Sequence, residues 1–426
     1  MKNMDYKPRM VDKQVAEALK LFGAVCVEGP KWCGKTWTST KHCASRIMLG
    51  DPEGDFQNKR LAELSPSVVL GGEAPHLIDE WQEVPRLWDA VRYEVDQRGL
   101  KGQFLLTGSS TPKTKGVLHS GAGRIKRLRM YPMSLWESGD SSGEVSLKDL
   151  FDGNAQTKML NPTTLKQLIY LCVRGGWPGA LGVDERHAGD IAKAYIETIL
   201  EYDIFKIDDK KYDAKKISLL MRSLARNEST TVSVKALSSD ISEMDDAKVD
   251  TDTLSNYLTL LDRLFLLRNQ PAFSANIRSS IRVKQMEKRH FVDPSLACAL
   301  LGARCDRLLA DLRTFGFIFE AMVERDLQIY AESIGGKLYH YQDYNNSEID
   351  AVVELDDGRW GAFEIKLGAD RIDEGAASLL KVRADMLASN PEAHVADVMC
   401  VVCGLGNSVY QRPDGVWVLP ITALKD

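Results

Sequence analysis

The sequence contains no apolar run near the roughly 18 residues that cross a bilayer, which excludes an evident membrane span. Its first residues, MKNMDYKPRMVDKQ, hold no apolar core of a secretory signal. A cytoplasmic location with no membrane partner is therefore expected. A cysteine framework is also missing. The eight cysteines are scattered, and the CxxC of Cys400 and Cys403 has no second pair at zinc-finger spacing. Those two lie in the apolar run VMCVVCG, which reads as a buried strand with reduced thiols. There is no internal repeat and no low-complexity tract. Charge of one sign is lacking too: 55 basic and 60 acidic residues give a net charge of −5. That balance neither demands nor forbids nucleic acid, because a local basic patch is enough.

What is present is a 426-residue chain, too long for one ordinary core, so two to four domains are expected. Its 44% hydrophobic, 27% charged and 8% aromatic residues are those of a soluble globular protein. Residues 11–22 carry a helical apolar period, and AVCV (24–27) is a short continuous apolar run. Similar runs recur at 45–49, 75–79 and 103–108, with helical stretches between them. This alternation predicts an α/β unit with a parallel sheet that ends near YPMSLWE (131–137). ESGDSSGEVS (137–146) reads as a loop or linker. Residues 163–205 read as mostly helical, and 213–226, 232–242 and 252–267 as three helices. A strand-like stretch follows at 279–293; a long helix (317–332), several strands and a helix near 375–388 complete the chain.

EGPKWCGKTWTST contains the GxxxxGK[ST] pattern between a predicted strand and a predicted helix. The nucleotide-binding candidates are Gly29, Pro30, Lys31, Trp32, Cys33, Gly34, Lys35, Thr36 and the following Trp37. Glycines let backbone N–H groups turn inward around phosphates, Lys35 supplies charge at the β and γ positions, and Thr36 can ligate Mg²⁺. Further on, HLIDEWQ ends a strand in Asp79 and Glu80. Asp79 is the candidate for holding Mg²⁺, and Glu80 for activating the attacking water. In FLLTGSS, Thr107 or Ser109 is either a γ-phosphate sensor or a polar strand end. Arg124, after a Gly-Ala-Gly turn, is either an arginine finger, in cis or toward a neighbouring copy, or a surface arginine.

The order P-loop, LIDEWQ, LLTGSS, GR, YPMSLWE resembles the prokaryotic AAA-type ATPases that carry an uncharacterised C-terminal domain. GGWPGAL (175–181), DTLSNYLTLLDRLFLL (252–267), RHFVDPSLACALLG (289–302), GFIFEAMV (316–323) and SEIDAVVE…AFEIK (347–366) resemble that family in its order. The resemblance covers nearly the whole chain. It implies an α/β multidomain protein: an N-terminal P-loop AAA-type parallel sheet (1–140), a helical linker or lid (141–208), a winged-helix-like middle (209–293) and a C-terminal α/β domain of restriction-endonuclease-like, PD-(D/E)XK nuclease-like fold (294–426).

In the middle segment, VSVKALSSDIS reads as a short helix, MDDAKVD as a turn and TDTLSNYLTLLDRLFLL as a second helix, capped by Thr251 or Asp252. Leu254, Leu258, Leu261 and Leu264 or Phe265 form its buried stripe. Asp245, Asp246, Asp250 and Asp252 would repel phosphate. Arg278, Arg282, Lys284, Lys288 and Arg289 would make a basic wing, and docking on another domain explains the pattern equally well.

NNSEIDAVVELDDGRWGAFEIKLG (345–368) reads as two strands joined by a three-residue loop with Gly358 left-handed. Leu355 then faces Arg359, Asp350 faces Glu364 and Glu348 faces Lys366, all four of the latter on one face. Two opposed carboxylates call for a cation or a proton between them, the outline of a second Mg²⁺ or Mn²⁺ site. Asp350 and Glu364 would hold the metal and Lys366 would orient water in the nuclease pattern. Glu320, from the preceding helix, joins them by resemblance. No proline precedes Asp350, a departure from the pattern. Arg371 and Lys381 would add positive charge. The competing reading is a set of cross-strand ion pairs.

The expected function is an ATP-hydrolysing AAA-type enzyme using ATP and Mg²⁺ and coupling nucleotide state to a nucleic-acid-related C-terminal domain, with DNA or RNA and a second copy of the chain as candidate partners. The alternatives are a nucleotide-dependent switch on an inactive nuclease-like scaffold, and an ATP-controlled metal-dependent nuclease.

Overall fold

The computed structural model describes residues 6–111, 117–207, 210–244, 249–276, 278–343 and 347–426. The chain forms two compact units. The first comprises Met1–Pro132 with Glu201–Tyr212 and Leu258–Leu266; the second holds the remainder.

The first unit is built on five parallel strands: β1 (Ala24–Glu28), β2 (Ser45–Met48), β3 (His76–Asp79), β4 (Phe104–Gly108) and β5 (Ile125–Arg129). Their order is β2-β3-β4-β1-β5. Strands β1, β3 and β4 are buried at every position. They are covered on both faces, which is why they read as unbroken apolar runs. Alternation sends Ala24 and Cys26 to one core with Ile78, Leu106 and Trp88, and Val25 and Val27 to the other with Val15, Leu77 and Leu105. The helices Val11–Leu21 and Leu87–Arg98 supply the covering residues. Because β4 lies between β3 and β1, the carboxyl ends of these three strands meet at one edge, where open α/β sheets bind ligands.

The second unit contains short strands β6 (Val145–Ser146) and β7 (Lys158–Met159), then β8 (Gly336–Gln342), β9 (Glu348–Leu355), β10 (Trp360–Lys366), β11 (Val398–Cys403), β12 (Ser408–Gln411), β13 (Trp417–Pro420) and β14 (Leu424–Lys425). Seven of them form a mixed sheet in the order β7-β12-β13-β11-β10-β9-β8, and β14 pairs with β6. The helix Ile372–Ser389 sets Ala376, Leu379 and Val382 against Val352, Trp360, Ala362 and Val401. The helix Leu312–Ser333 packs against β8, β9 and β10. Cys400 and Cys403 are buried in β11, and burial pushes the Cys403 thiol up to about 12, as suits inert core cysteines.

The three expected helices are present as Ala214–Arg226, Val234–Met244 and Thr251–Arg263. The cap of the last is Asp250, which accepts from the Thr253 backbone at 2.8 Å, so the expected Thr251 or Asp252 is displaced by one or two residues. Its stripe of Leu254, Leu258, Leu261, Leu264 and Phe265 is buried as expected. Asp245 and Asp246 lie outside the described residues. The stretch 279–293 is not one strand: it opens with a helix, Ile281–Lys284, and then bridges Lys288 to Gln270, Arg289 to Thr230 and Phe291 to Leu267.

The polar stretch 137–146 is not a linker. Ser134 and Glu137 form a capping box, Ser141 donates to the Leu424 carbonyl at 2.7 Å, and Val145–Ser146 pairs with β14. Residues 133–200, 213–257 and 267–426 form the second compact unit. Buried polar groups occupy its centre. Asp293 caps the helix Pro294–Leu301, accepts from the Gly176 backbone at 2.9 Å and pairs with Arg325 at 2.8 Å. Trp177 donates to Ser295 at 2.9 Å. GGWP and VDPS are therefore joined by hydrogen bonds.

Candidate functional site

The loop 29–34 leaves the carboxyl end of β1 and opens the helix Lys35–Lys41. Its shape needs its glycines. A Cβ on Gly29 would lie 2.1 Å from the Met130 carbonyl, and Gly34 has φ 107°, a conformation that disfavours any side chain. The loop is braced by Arg9, which donates to the Cys33 carbonyl at 2.7 Å and the Tyr131 carbonyl at 2.8 Å. Lys31 pairs with Asp203 at 2.6 Å. Trp32 is exposed, while Trp37 is half-buried. The Lys35 ammonium turns back over the loop and donates to the Pro30 carbonyl at 2.8 Å.

The acids stand beside it. The Thr36 hydroxyl donates to Asp79 Oδ1 at 2.9 Å, and the Thr107 hydroxyl donates to the same oxygen at 2.7 Å. Thr107 Oγ1 also accepts from the Glu80 backbone N–H at 2.9 Å, so one hydroxyl positions both acids. Burial pushes the Asp79 carboxyl up, and the two hydroxyl bonds hold it down in part. Glu80 sits at φ 58°, strained backbone for a residue with a side chain. Its Oε2 accepts from Ser109 at 2.8 Å and from Gln82. Lys35, Thr36, Asp79, Glu80, Thr107 and Ser109 are thus gathered at one edge of the sheet. The glycine cradle, the ammonium and the hydroxyl–carboxylate pair fit a nucleotide phosphate chain with Mg²⁺. Arg9 and the pairing of Lys31 with Asp203 were not anticipated, because their partners lie too far away in sequence for spacing to reveal them; Gln82, two residues after Glu80 in the same motif, was missed although it is local.

Arg124 is placed elsewhere. It precedes β5, whose first residue pairs with Ala24 at the start of β1, whereas the loop leaves the far end. Five residues of strand put it about 16 Å from that edge at ~3.3 Å per residue. Its side chain is half-exposed and pairs with Asp96 at 2.9 Å. The cis arginine finger is therefore corrected by strand direction.

A second acidic centre lies within the other unit. The hairpin has the expected register: Leu355 N–H bonds to Arg359 at 2.8 Å, Gly358 has φ 91°, and Trp360 pairs with Glu354 through to Phe363 with Ala351. The ladder stops there, one residue short of the acids. Asp350 Oδ2 accepts the Ile365 N–H at 2.7 Å instead. Lys366 lies 2.6 Å from Glu364 and 3.7 Å from Asp350. Burial, with Asp350 adding to it, pushes Glu364 up to about 7 against the pull of Lys366. Glu348 lines one cavity with Asp350, Glu320 and Lys288 and accepts from Gln342 at 2.6 Å.

Glu320 comes to the centre, with Lys288 as its partner. Burial, reinforced by Asp350 and Glu324, pushes the Glu320 carboxyl up to about 8, although Lys288 pulls it down. Among the described residues no group of three or more His, Cys, Asp and Glu is arranged to hold a metal ion. The expected metal set of Glu320, Asp350 and Glu364 is instead held by ammonium groups. The basic wing is corrected for the same reason. Lys288 is buried, Arg282 forms a two-pronged pair with Glu354 at 2.7 and 2.9 Å, and Arg289 donates to the Val232 carbonyl at 3.2 Å; Arg278 and Lys284 are exposed. Arg371 pairs with Glu374 at 2.7 Å. Sequence reasoning missed Glu324, though its place four residues after Glu320 on a helix was a usable signal.

Residues 22–138 match a family described as an AAA domain. Residues 165–307 and 315–424 match two domains of unknown function, DUF8612 and DUF4143. Uncharacterized proteins of Mycobacterium bovis and Mycobacterium tuberculosis are each 26% identical over 358 residues, covering 83% of this chain and 72% of the relative. A solved structure, the Walker-type ATPase of Pyrococcus abyssi, is similar at 15% identity with a TM-score of 0.41, covering 70% of this chain and 99% of that one. No helix among the described residues is long and apolar enough to cross a membrane.

Proposed function

We propose that the N-terminal AAA-type domain binds and hydrolyses ATP, and that its nucleotide state is coupled to the C-terminal domain. The observation that carries this reading is the Thr107 hydroxyl, which bonds Asp79 and the Glu80 backbone at once and so sets two acids beside the loop. In this reading the Lys35 ammonium exchanges the Pro30 carbonyl for phosphate oxygens. Thr36 and Asp79 would hold Mg²⁺, which neutralises charge on the phosphate oxygens. Glu80, held by Ser109 and Gln82, accepts a proton from the attacking water. Glu80→Gln is expected to lower phosphate release by about 10²–10⁴-fold while nucleotide still binds. A Lys35→Ala protein that turned over ATP at the parent rate would refute the proposal.

Arg124 is assigned to a neighbouring copy in a homo-oligomer, where its exposure is an asset. Mixing Arg124→Ala with Lys35→Ala protein should then restore turnover that neither has alone.

For the C-terminal domain, the mixed sheet and the hairpin register support the nuclease-like fold. The inward-turned charges of Arg282 and Lys288 favour the switch on an inactive scaffold over a nucleic-acid partner or an ATP-controlled nuclease. ATP turnover measured with and without DNA or RNA separates them. A switch shows no stimulation and leaves supercoiled DNA intact in Mg²⁺ or Mn²⁺. Cleavage lost in Asp350→Ala would establish the nuclease.

A further inference from the structure

Lys288 is a charged side chain only 9% exposed, set among acids from two other elements. Its ammonium has three N–H donors, and three acceptors meet it: Glu320 Oε1, Glu324 Oε1 at 2.8 Å and the Asp350 main-chain carbonyl at 3.3 Å. Two carboxylate oxygens and a backbone carbonyl are the oxygen ligands a hard divalent cation takes. Lys288, Glu320 and Asp350 border a cavity of about 230 Å³ with Thr230, His340 and Glu348 also in its wall; Glu324 lies behind them, fully buried. A divalent ion entering from that cavity would meet a centre whose inner oxygens are already bonded.

The electrostatics point the same way. Glu320, Glu324, Asp350 and Glu364 converge here, with Lys288 and Lys366 between them. An ammonium fixed to the chain cannot diffuse away, so it outcompetes a dissociable ion at ordinary concentration. Taking away one partner of a buried pair leaves the other charge uncompensated. Without Lys288, the buried Glu324 and its neighbour Glu320 would lose the ammonium that bridges them.

We propose that Lys288 is the resident cation of the C-terminal acidic centre, standing where a divalent metal would stand, and that removing its charge opens the centre to Mn²⁺. The inference does not rest on the ATPase reading.

The test is Mn²⁺ binding to the nucleotide-free full-length chain by electron paramagnetic resonance, in an Asp79→Asn background that silences the phosphate loop. The parent should show no Glu320-dependent site. Lys288→Met should bind one Mn²⁺ about tenfold or more tightly than the parent, and adding Glu320→Gln, which removes one of the two carboxylates that hold Lys288, should abolish the gain. A parent that already binds Mn²⁺ at a site lost in Glu320→Gln overturns the proposal, as does a folded Lys288→Met that binds no better than the parent. Should Lys288→Met melt before it can be titrated, Mn²⁺ against EDTA in a thermal melt of that variant and of Lys288→Gln decides. Selective raising of both midpoints by Mn²⁺ supports it, and no response in either overturns it.

Discussion

The molecule holds two acid centres built on opposite principles. At the phosphate loop the acids are held by neutral hydroxyls: Thr36 and Thr107 on Asp79, Ser109 on Glu80. The nearby ammonium of Lys35 rests on a carbonyl. Hydroxyls orient a carboxylate without neutralising it, so in the proposed reading this centre still calls for a cation and its lysine is left for phosphate. In the C-terminal unit the acids are held by ammonium groups, Lys288 on Glu320 and Glu324, and Lys366 on Glu364. There the demand is met from within. The lesson is that a carboxylate cluster does not by itself announce metal chemistry. What fills the next hydrogen-bonding position decides it.

The largest expected effects separate the two centres directly. Lys35→Ala should lower ATP turnover by about two orders of magnitude or more, while Lys366→Ala should leave it within about twofold, because in the proposed reading the second centre takes no part in the ATP reaction. Phosphate release on the purified variants checks both. A comparable loss in Lys366→Ala would break the comparison, since it would make the second centre part of the ATP reaction. A step smaller is Thr107→Val, which keeps the shape and deletes the hydroxyl shared by Asp79 and Glu80. Turnover should fall about tenfold or more for the one lost hydrogen bond to a charged group, worth about 1.5–3 kcal/mol. Ser378→Ala, the corresponding hydroxyl on Glu364 at 3.2 Å, should not change turnover.

Much of this was legible in the sequence where local physics is sufficient. The continuous apolar runs that became β1, β3 and β4 could be read because a covered parallel strand leaves no polar face. The hairpin register followed from one turn and the two-residue alternation, which is why residue spacing alone puts Asp350 and Glu364 on one face. What escaped depends on strand order and on distant partners. The Gly-Ala-Gly turn announced that Arg124 is exposed, but only the direction of β5 says at which end of the sheet. Lys288 lay in a basic run that looks like a surface. Its burial is set by a helix more than thirty residues later, whose Glu320 and Glu324 wait on one face. The polar stretch 137–146 misled because serines serve as caps and partners as readily as they serve loops; Ser141 reaches a carbonyl 283 residues away.

The smallest effect is a pH dependence that belongs to the second centre. Glu364 is raised to about 7 by burial first and by Asp350 of the neighbouring strand second, against Lys366 on its own strand and Ser378 on the covering helix. Glu320 is raised to about 8 by burial, Asp350 and Glu324. Both folded carboxyls bind a proton more tightly than they do in the unfolded chain. Their favourable contribution is complete below the ordinary glutamate range and is lost as pH rises through about 7 to 8. The histidines act in the opposite direction. Burial lowers His340 to about 4 and pushes His290 well below its ordinary value, so they weaken the fold only as pH falls below the ordinary histidine range. Between about pH 6.5 and 8.5 the carboxyls therefore govern. The thermal midpoint of the parent should fall over that interval, with ~1 kcal/mol corresponding to about 2–4 °C. Glu364→Gln, which keeps the shape and removes the ionisation, should fall less. Asp79 is raised as well, but without the large shift of Glu364 and Glu320, so Asp79→Asn should leave the slope of the parent unchanged in this interval. A midpoint that stays flat in the parent, or a slope that follows Asp79 instead of Glu364, would mean that the buried acids of the second centre are already ionised and that its lysines neutralise them completely.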